Sequence, residues 1–199
     1  MSILVICDAG IADFGNISDK TKNDFVCGFG WVIVKDCKLF LRRKAKTFTN
    51  KQAYHTNVAE FYGIITAATD VYITFNNKNE STLLYCDNQA AINHFIPHTK
   101  KNWKKDNGEM ISRFMPKDVA INFRQLTKLS GIQHINSGSQ LVNTLHRLSH
   151  RLAKLAINDE TGSYLLNEEE QKKYFGLLSS IKDTVKNIKE EFSPYYKIF

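Results

Sequence analysis

The feature that most constrains the fold is an apolar run near the start of the chain that ends in a single carboxylate. Residues 2–10 read Ser-Ile-Leu-Val-Ile-Cys-Asp-Ala-Gly. An unbroken apolar run such as Ile3–Cys7 is typical of a strand buried on both faces of a sheet. Asp8 is expected where that strand leaves the core, and a charge there is costly unless a partner such as a metal ion neutralises it. The small residues Ala9 and Gly10 leave room for a ligand to approach.

An aspartate that merely begins a turn is the competing interpretation of this stretch. Two later parts of the chain, each with its own carboxylate, favour the metal-binding interpretation.

Length and composition indicate one globular domain with additions. The chain has 199 residues, of which 43% are hydrophobic, and this excludes a disordered protein. The apolar runs are too short to span a membrane, and the start of the chain lacks the pattern of a secretory signal, so we expect a cytoplasmic protein without a membrane partner. The four cysteines show no CxxC spacing, which indicates reduced thiols. The net charge of +7 is compatible with a polyanionic partner such as nucleic acid.

The order of the predicted elements is that of an α/β chain whose first three strands are antiparallel. Strands are predicted from apolar runs and helices from apolar residues at spacings of three and four. The predicted strands are Ile3–Cys7, Phe25–Val34, Lys38–Phe48, Thr82–Cys86 and Val119–Leu126. The predicted helices are Val58–Phe75, Asn88–Ile96, Asn107–Met115, Leu141–Ile157 and Asn167–Phe192, with a polar loop at Leu129–Gln140.

Three acids stand out against this order of elements. Asp8 and Asp87 each follow an apolar strand, and Glu60 lies among apolar and small residues near the start of the first long helix. Strand ends of one sheet and a helix packed on it can meet at one edge. Carboxylates brought together in this way repel one another unless divalent cations neutralise them, and hard oxygen ligands favour Mg²⁺ or Mn²⁺.

Four motifs in the right order resemble the type 1 ribonuclease H family. They are Asp-Ala-Gly at residues 8–10, Thr-Asn-Val-Ala-Glu-Phe at 56–61, Tyr-Cys-Asp-Asn-Gln at 85–89, and the helix His-Arg-Leu-Ser-His-Arg-Leu-Ala at 146–153. The similarity covers about residues 1–157. It implies an RNase H-like fold, with a five-stranded mixed sheet flanked by helices, and leaves residues 158–199 as a C-terminal helical extension.

The resemblance also implies a reaction and a set of ligands. The family hydrolyses the RNA strand of RNA–DNA hybrids with two metal ions, which here would be Mg²⁺ or Mn²⁺. Asp8, Glu60 and Asp87 match the metal-binding acids of the family, and Asp8 would bridge the two ions. Two alternatives stay open: a nuclease of the same superfamily that acts on branched or duplex DNA, and a non-catalytic module that binds hybrids or docks on proteins.

The fourth acid of the family is replaced by histidine. His150 falls at that position, and His146 falls on the asparagine of the same motif. A neutral imidazole binds Mn²⁺ better than Mg²⁺ and adds no negative charge. We therefore expect His150 to be the fourth catalytic and metal-binding residue, with His146 as the competing candidate and an ordinary surface histidine as the remaining interpretation. His134, in the preceding loop, is a candidate for a role in product release.

Substrate contacts are expected from two amides and one basic cluster. Asn57 and Gln89 match positions that contact the minor groove in the family, although either could be a loop or cap amide. The cluster at residues 98–106 resembles the basic protrusion that holds the DNA strand in some members, although a solvated loop has the same composition. Its candidate residues are Lys100, Lys101, Trp103, Lys104 and Lys105.

The last helix carries one apolar stripe that must be buried. Its members are Phe175, Leu178, Ile181, Val185, Ile188 and Phe192. The stripe could cover the domain itself, a second copy of the chain or a protein partner. Three heptads make a marginal coiled coil, so we expect it to pack on the domain.

Overall fold

The structure is a computed structural model. It describes residues 2–13, 25–36, 38–48, 56–75, 81–93, 131–162, 168–191 and 197–198. The strands are β1 (Ser2–Asp13), β2 (Phe25–Lys35), β3 (Lys38–Phe48), β4 (Ser81–Cys86), β5 (Gly131–His134) and β6 (Lys197–Ile198). The helices are α1 (Thr56–Phe75), α2 (Gln89–Asn93), α3 (Gln140–Thr161) and α4 (Glu168–Glu191), with one turn of 3₁₀ helix at Ile135–Ser137.

A single mixed sheet organises the molecule, with the strand order β5-β4-β1-β2-β3-β6. β1 pairs antiparallel with β2, which pairs antiparallel with β3, so the first three strands form the predicted meander. β4 and β5 are parallel to β1 on its other side. The prediction of a five-stranded mixed sheet flanked by helices is confirmed, and the two residues of β6 add a short sixth strand beside β3.

Two predicted boundaries are wrong, each for a physical reason. β1 does not end before Asp8 but continues to Asp13, because β2 supplies a pairing partner as far as Asp13. β5 lies at Gly131–His134, inside the stretch predicted to be a polar loop, because it pairs with β4. The predicted elements Asn107–Met115 and Val119–Leu126 lie outside the described residues.

The two faces of the sheet build two cores. Side chains alternate along β1, so Val5 and Cys7 join the core beneath α1, whereas Ile6 joins the core beneath α3. The α1 core includes Phe29 and Phe61, both almost fully buried. The α3 core is lined by a stripe of leucines on that helix: Leu145, Leu148, Leu152 and Leu155.

Two glycines of β2 let α3 lie close to the sheet. A Cβ atom at Gly30 would stand 2.0 Å from the carbonyl oxygen of Ser149, and one at Gly28 would stand 2.1 Å from that of Ala153. Any side chain at these positions would therefore push α3 away. This close packing fixes where the side chains of α3 lie at the edge of the sheet.

α4 packs against the domain, as its apolar stripe predicted. Ile181 and Ile188 are buried in the same core as the leucines of α3. Phe175 of the predicted stripe is instead 62% exposed, and Phe192 lies outside the described residues. The side chain of Arg151 on α3 ties the two helices together through hydrogen bonds to the Ser180 carbonyl and the Thr184 hydroxyl.

The boundary proposed between residues 157 and 158 falls inside α3. This helix continues to Thr161 and ends at Gly162, whose positive φ of 64° suits glycine. The division into 1–157 and 158–199 stays a prediction. Within the described residues, no helix combines the length and apolar composition that a membrane crossing requires.

Candidate metal centre

The register of β1 and β4 brings two carboxylates together. The parallel pairing ends at Ile6 and Tyr85. Asp8 and Asp87 each follow two residues later, so both lie just beyond the end of the paired region. Asp8 is still held within β1, where it pairs with Gly30 of β2 and is 2% exposed. The backbone N–H of Ala9 donates to Asp8 Oδ1 over 2.8 Å and fixes the orientation of this carboxylate.

Glu60 reaches the same edge from the first turns of α1. Its side chain is 4% exposed, and the thiol of Cys86 donates to Glu60 Oε2 at 3.7 Å. Cys86 is the last residue of β4 and directly precedes Asp87. The glutamate therefore lies against the end of β4, beside the two aspartates.

The helix α3 contributes two imidazoles to the cluster. His150 Nδ1 lies 2.6 Å from Asp8 Oδ2, which is a short hydrogen bond. His146 Nε2 lies 3.5 Å from Asp87 Oδ2 and 3.9 Å from Asp8 Oδ2. Between the two histidines, the buried hydroxyl of Ser149 donates to the carbonyl of Ile6 over 3.0 Å. This bond pins α3 to β1 two residues before Asp8.

Burial and negative neighbours strongly perturb Glu60. Burial disfavours the charged carboxylate, and the nearby Cys86, Asp8 and Asp87 add to the effect, so the pKa of Glu60 rises to about 11. Without metal, Glu60 is therefore protonated at neutral pH.

Asp87 and His146 stabilise each other in their charged forms. The contact with the His146 ring holds the pKa of Asp87 below its ordinary value, although partial burial opposes this. For His146, burial acts to lower the pKa, but Asp87 and Asp8 together raise it above the ordinary value. A metal ion that binds here must displace the proton from His146.

The donor set fits a divalent cation. Asp8, Asp87 and His146 can each offer one atom, and these three atoms lie within 4.8 Å of one another. Glu60, Cys86 and Asp87 form a second such group that shares Asp87 with the first. His146 Nε2 is buried, and its contacts with the Asp87 and Asp8 oxygens, at 3.5 and 3.9 Å, do not meet hydrogen-bond geometry. Buried polar atoms normally have a hydrogen bond, so an ion between these groups would satisfy this nitrogen once its proton has left.

The other predicted site residues have different placements. His134 ends β5, and its Nδ1 accepts a hydrogen bond from the Asn136 N–H, so its Nε2 carries the proton and donates to the Asp87 carbonyl over 2.8 Å. Gln89 begins α2 on the surface and donates to the side chain of Asn93. The side chain of Asn57 lies outside the described part, as do Lys100, Lys101, Trp103, Lys104 and Lys105.

Two contributors to the site were not predicted. Cys86 contacts Glu60, and Ser149 anchors α3. The signal for Cys86 was its position at the end of an apolar strand beside an acid. The sequence signal for Ser149 was weaker. It is a hydroxyl residue between the two histidines, and it lies on the helix face that the leucines bury.

The comparisons with known proteins identify the fold. No family model matches the chain, and no curated protein matches its sequence. Among solved structures, the prototype foamy virus protease–reverse transcriptase aligns with a TM-score of 0.52 and 16% identity, over 77% of this chain and 20% of that one. LC11-RNase H1, isolated from compost by a metagenomic approach, aligns with a TM-score of 0.51 and 18% identity, over 80% of this chain and 98% of that one.

The chain has an RNase H-like fold. It spans a fifth of the length of the viral protein and nearly all of the compost protein. The fold prediction drawn from the four short motifs is thereby confirmed. In this RNase H-like fold the clustered acids and histidines lie where β1, β4, α1 and α3 meet.

Proposed function

We propose that the protein is a metal-dependent endonuclease that hydrolyses the RNA strand of RNA–DNA hybrids. The observation that supports this proposal is the convergence of Asp8, Glu60 and Asp87 with two histidines at one edge of an RNase H-like sheet. Carboxylates this close together repel one another, and such a group is stable where cations neutralise it.

We assign the donor atoms to two proposed metal positions. Asp8, Asp87 and His146 would hold one ion, and Glu60 with Asp87 would contribute to the other. A mixed oxygen and imidazole set favours Mn²⁺ over Mg²⁺ at low metal concentration. When bound, such ions activate a water nucleophile and stabilise the departing oxygen of a phosphodiester.

His150 acts in this proposal as a positioning residue for Asp8. Its Nδ1 holds Asp8 Oδ2, while the Ala9 N–H holds Oδ1, so both oxygens of the buried carboxylate are fixed. The His150 side chain is 49% exposed. This refines the expectation that His150 is itself a metal ligand, because His146 lies nearer to Asp87.

Hybrid recognition needs contacts to 2′-hydroxyls and to the phosphates of both strands. Gln89 lies directly after Asp87 and Asn88 on the surface, where it can reach a bound minor groove. The lysines of residues 100–105 and the net charge of +7 supply the positive charge that phosphates require.

A cleavage assay tests the proposal and separates it from its alternatives. Labelled RNA–DNA hybrid, duplex DNA, duplex RNA and single strands are incubated with the protein in Mg²⁺ and then in Mn²⁺. We expect cleavage of the hybrid alone, within the RNA strand. Cleavage of DNA substrates instead would support the DNA nuclease, and hybrid binding without any cleavage would support the non-catalytic module.

Matched variants then test the site. Asp8→Asn and Asp87→Asn keep the side-chain shape but remove the charge, so we expect the cleavage rate to fall at least about 100-fold, or about 3 kcal/mol of barrier. Asp183→Asn, an exposed aspartate on α4, is the control and should retain the wild-type rate. Near-normal cleavage by Asp8→Asn would contradict the metal-dependent mechanism.

A further inference from the structure

A second concave site lies on the sheet face that carries α1, away from the histidines. It is a cavity of about 310 Å³ between β2, β3 and α1. Its walls include Trp31, Lys44, Lys46, Tyr62, Thr69 and Ile73. This volume is at the lower end of the range for small-ligand pockets, about 300–1,000 Å³.

Two lysines give the cavity positive charge, and the residues that the structure describes do not neutralise it. Lys44 and Lys46 are two residues apart on β3 and therefore point to the same face. The ammonium of Lys46 lies 5.2 Å from the centre of the Phe48 ring and 5.1 Å from that of Tyr62. Neither lysine has a carboxylate within ion-pair distance among the residues that the structure describes.

Asp70 is the one carboxylate in the described wall of the cavity, and it is already satisfied. It accepts hydrogen bonds from Trp31 Nε1 at 2.8 Å and from the Thr74 hydroxyl at 2.9 Å. Arg42 Nε lies 3.7 Å from the same carboxylate. The two lysines therefore remain available for an anion.

The rest of the wall suits a ligand that is partly apolar and partly polar. Trp31 and Tyr62 are only 4% and 5% exposed and form the buried aromatic floor of the cavity, and Ile73 stands at the rim with 71% of its surface exposed. The hydroxyl of Thr69 is buried with no hydrogen-bond partner in the described part of the chain. A nucleotide unit combines an anionic phosphate, a planar base and hydrogen-bonding edges.

The register of the sheet places this cavity beside the metal centre. Ala9 pairs with Phe29, which pairs with Lys44, so the lysine lies level with Ala9, the residue after Asp8, and two strand spacings away, about 10 Å. Tyr62 follows Glu60 by two residues on α1, which turns it about 200° around the helix axis. Glu60 of the metal centre and Tyr62 of the cavity therefore lie on opposite sides of the first half of α1.

We propose that this cavity binds one nucleotide of a single-stranded segment that leaves the metal centre, with the phosphate on Lys44 and Lys46 and the base against Tyr62 and Ile73. The combination of lysines with an aromatic wall is typical of single-strand binding sites. The inference rests on the proposed function, because it assigns the cavity to the same substrate.

The first test compares a blunt RNA–DNA hybrid with the same hybrid carrying a single-stranded extension. Binding is measured by fluorescence anisotropy in EDTA over a salt series, so that cleavage plays no part. For the wild type we expect the extension to raise the affinity about tenfold. In the double variant Lys44→Gln, Lys46→Gln this gain disappears, and the salt slope on the extended hybrid falls by about 1.4, which is two single-strand phosphate contacts.

The matched control is Lys172→Gln, Lys182→Gln, which removes two exposed lysines of α4. It should retain both the gain and the salt slope. An equal gain from the extension in the wild type and in the Lys44, Lys46 variant would overturn the proposal. Displacement of the extended hybrid by polyglutamate at equal charge would also overturn it and assign the cavity to an acidic peptide.

Direct occupation of the cavity is read from Trp31. The chain has two tryptophans, Trp31 and Trp103, so the variant Trp103→Phe leaves Trp31 as the sole tryptophan. A short single-stranded oligothymidylate should quench its emission, and the Lys44→Gln, Lys46→Gln changes should abolish the quenching. Unchanged emission would overturn the proposal. A wild type that cuts no hybrid yet shows this quenching would refute the proposed function and leave the subsite standing.

Discussion

Glu60→Gln should stabilise the metal-free protein, and the gain should grow with pH. The glutamate is 4% exposed, and its pKa rises from an ordinary 4.5 to about 11 through burial and the negative groups around it. Between these two pKa values the folded state holds a proton that the unfolded state has lost. The free energy of unfolding therefore falls as the pH rises through this interval.

The size of this stability change follows from the difference between the pH and the ordinary pKa of 4.5. One pKa unit corresponds to about 1.4 kcal/mol. Relative to low pH, where Glu60 is protonated in both states, the free energy of unfolding of the wild type is therefore lower by up to about 3 kcal/mol at pH 7 and by about 1 kcal/mol at pH 5. Glutamine cannot ionise and escapes this loss. The stability gap between Glu60→Gln and the wild type should therefore widen by about 2 kcal/mol between pH 5 and pH 7.

The assay is urea unfolding in EDTA at both pH values, repeated with Mn²⁺. Any effect of the Glu60→Gln substitution on stability that does not depend on pH cancels when the stability gaps at the two pH values are compared. Added Mn²⁺ should stabilise the wild type more than the variant, because binding to the native state shifts the unfolding equilibrium and the amide is the poorer ligand. Glu190→Gln, an exposed glutamate on α4, should leave stability within about 0.5 kcal/mol at either pH.

A gap of the same size at pH 5 and pH 7 would refute this reasoning. Such a result would mean that Glu60 is charged in the metal-free protein. The three carboxylates would then not repel one another strongly. The proposed reason for the metal requirement would then be lost.

Three further predictions test the supports of the site. Gly30→Ala should lower the free energy of unfolding in urea by about 3 kcal/mol or more, because the added Cβ would stand 2.0 Å from a backbone oxygen of α3. The control Gly176→Ala has open space around it and should be neutral or stabilising. Ile188→Ala should cost about 2–5 kcal/mol, since this side chain is fully buried, and the exposed Phe175→Ala should cost little. His146→Ala should weaken Mn²⁺ binding at least about tenfold, as measured by calorimetry. It should also flatten the pH dependence of that binding, because the affinity of the wild type should rise as the pH passes the raised pKa of His146 and the imidazole loses its proton.

The sequence was sufficient to find the acids but not all of the strands. Asp87 could be found because an apolar run ends directly before it, and Glu60 because it interrupts an apolar helix face. β5 could not, because Gly-Ile-Gln-His is short and mostly polar, and its conformation depends on pairing with Leu83–Cys86. Strand formation of this kind is set by the neighbour and not by local preference.

The roles of the histidines also depend on contacts that the sequence does not reveal. Both lie on the side of α3 away from its leucine stripe, which was predictable. Whether His146 or His150 reaches Asp87 depends on how closely α3 approaches the sheet, and Gly28 and Gly30 set that approach. The two glycines were visible in the predicted strand, but the sequence does not tell which helix they accommodate.

The pairing of Asp8 with His150 has a consequence for how the protein matures during its synthesis. The two residues are 142 positions apart, and the bond that pins α3 to Ile6 joins residues 143 apart. The β1–β2–β3 meander is local and can form early on the ribosome, whereas His150 is added 142 residues after Asp8. A nascent chain therefore carries Asp8 without its histidine partner while those residues are made, and the complete cluster of acids and histidines forms in one later step.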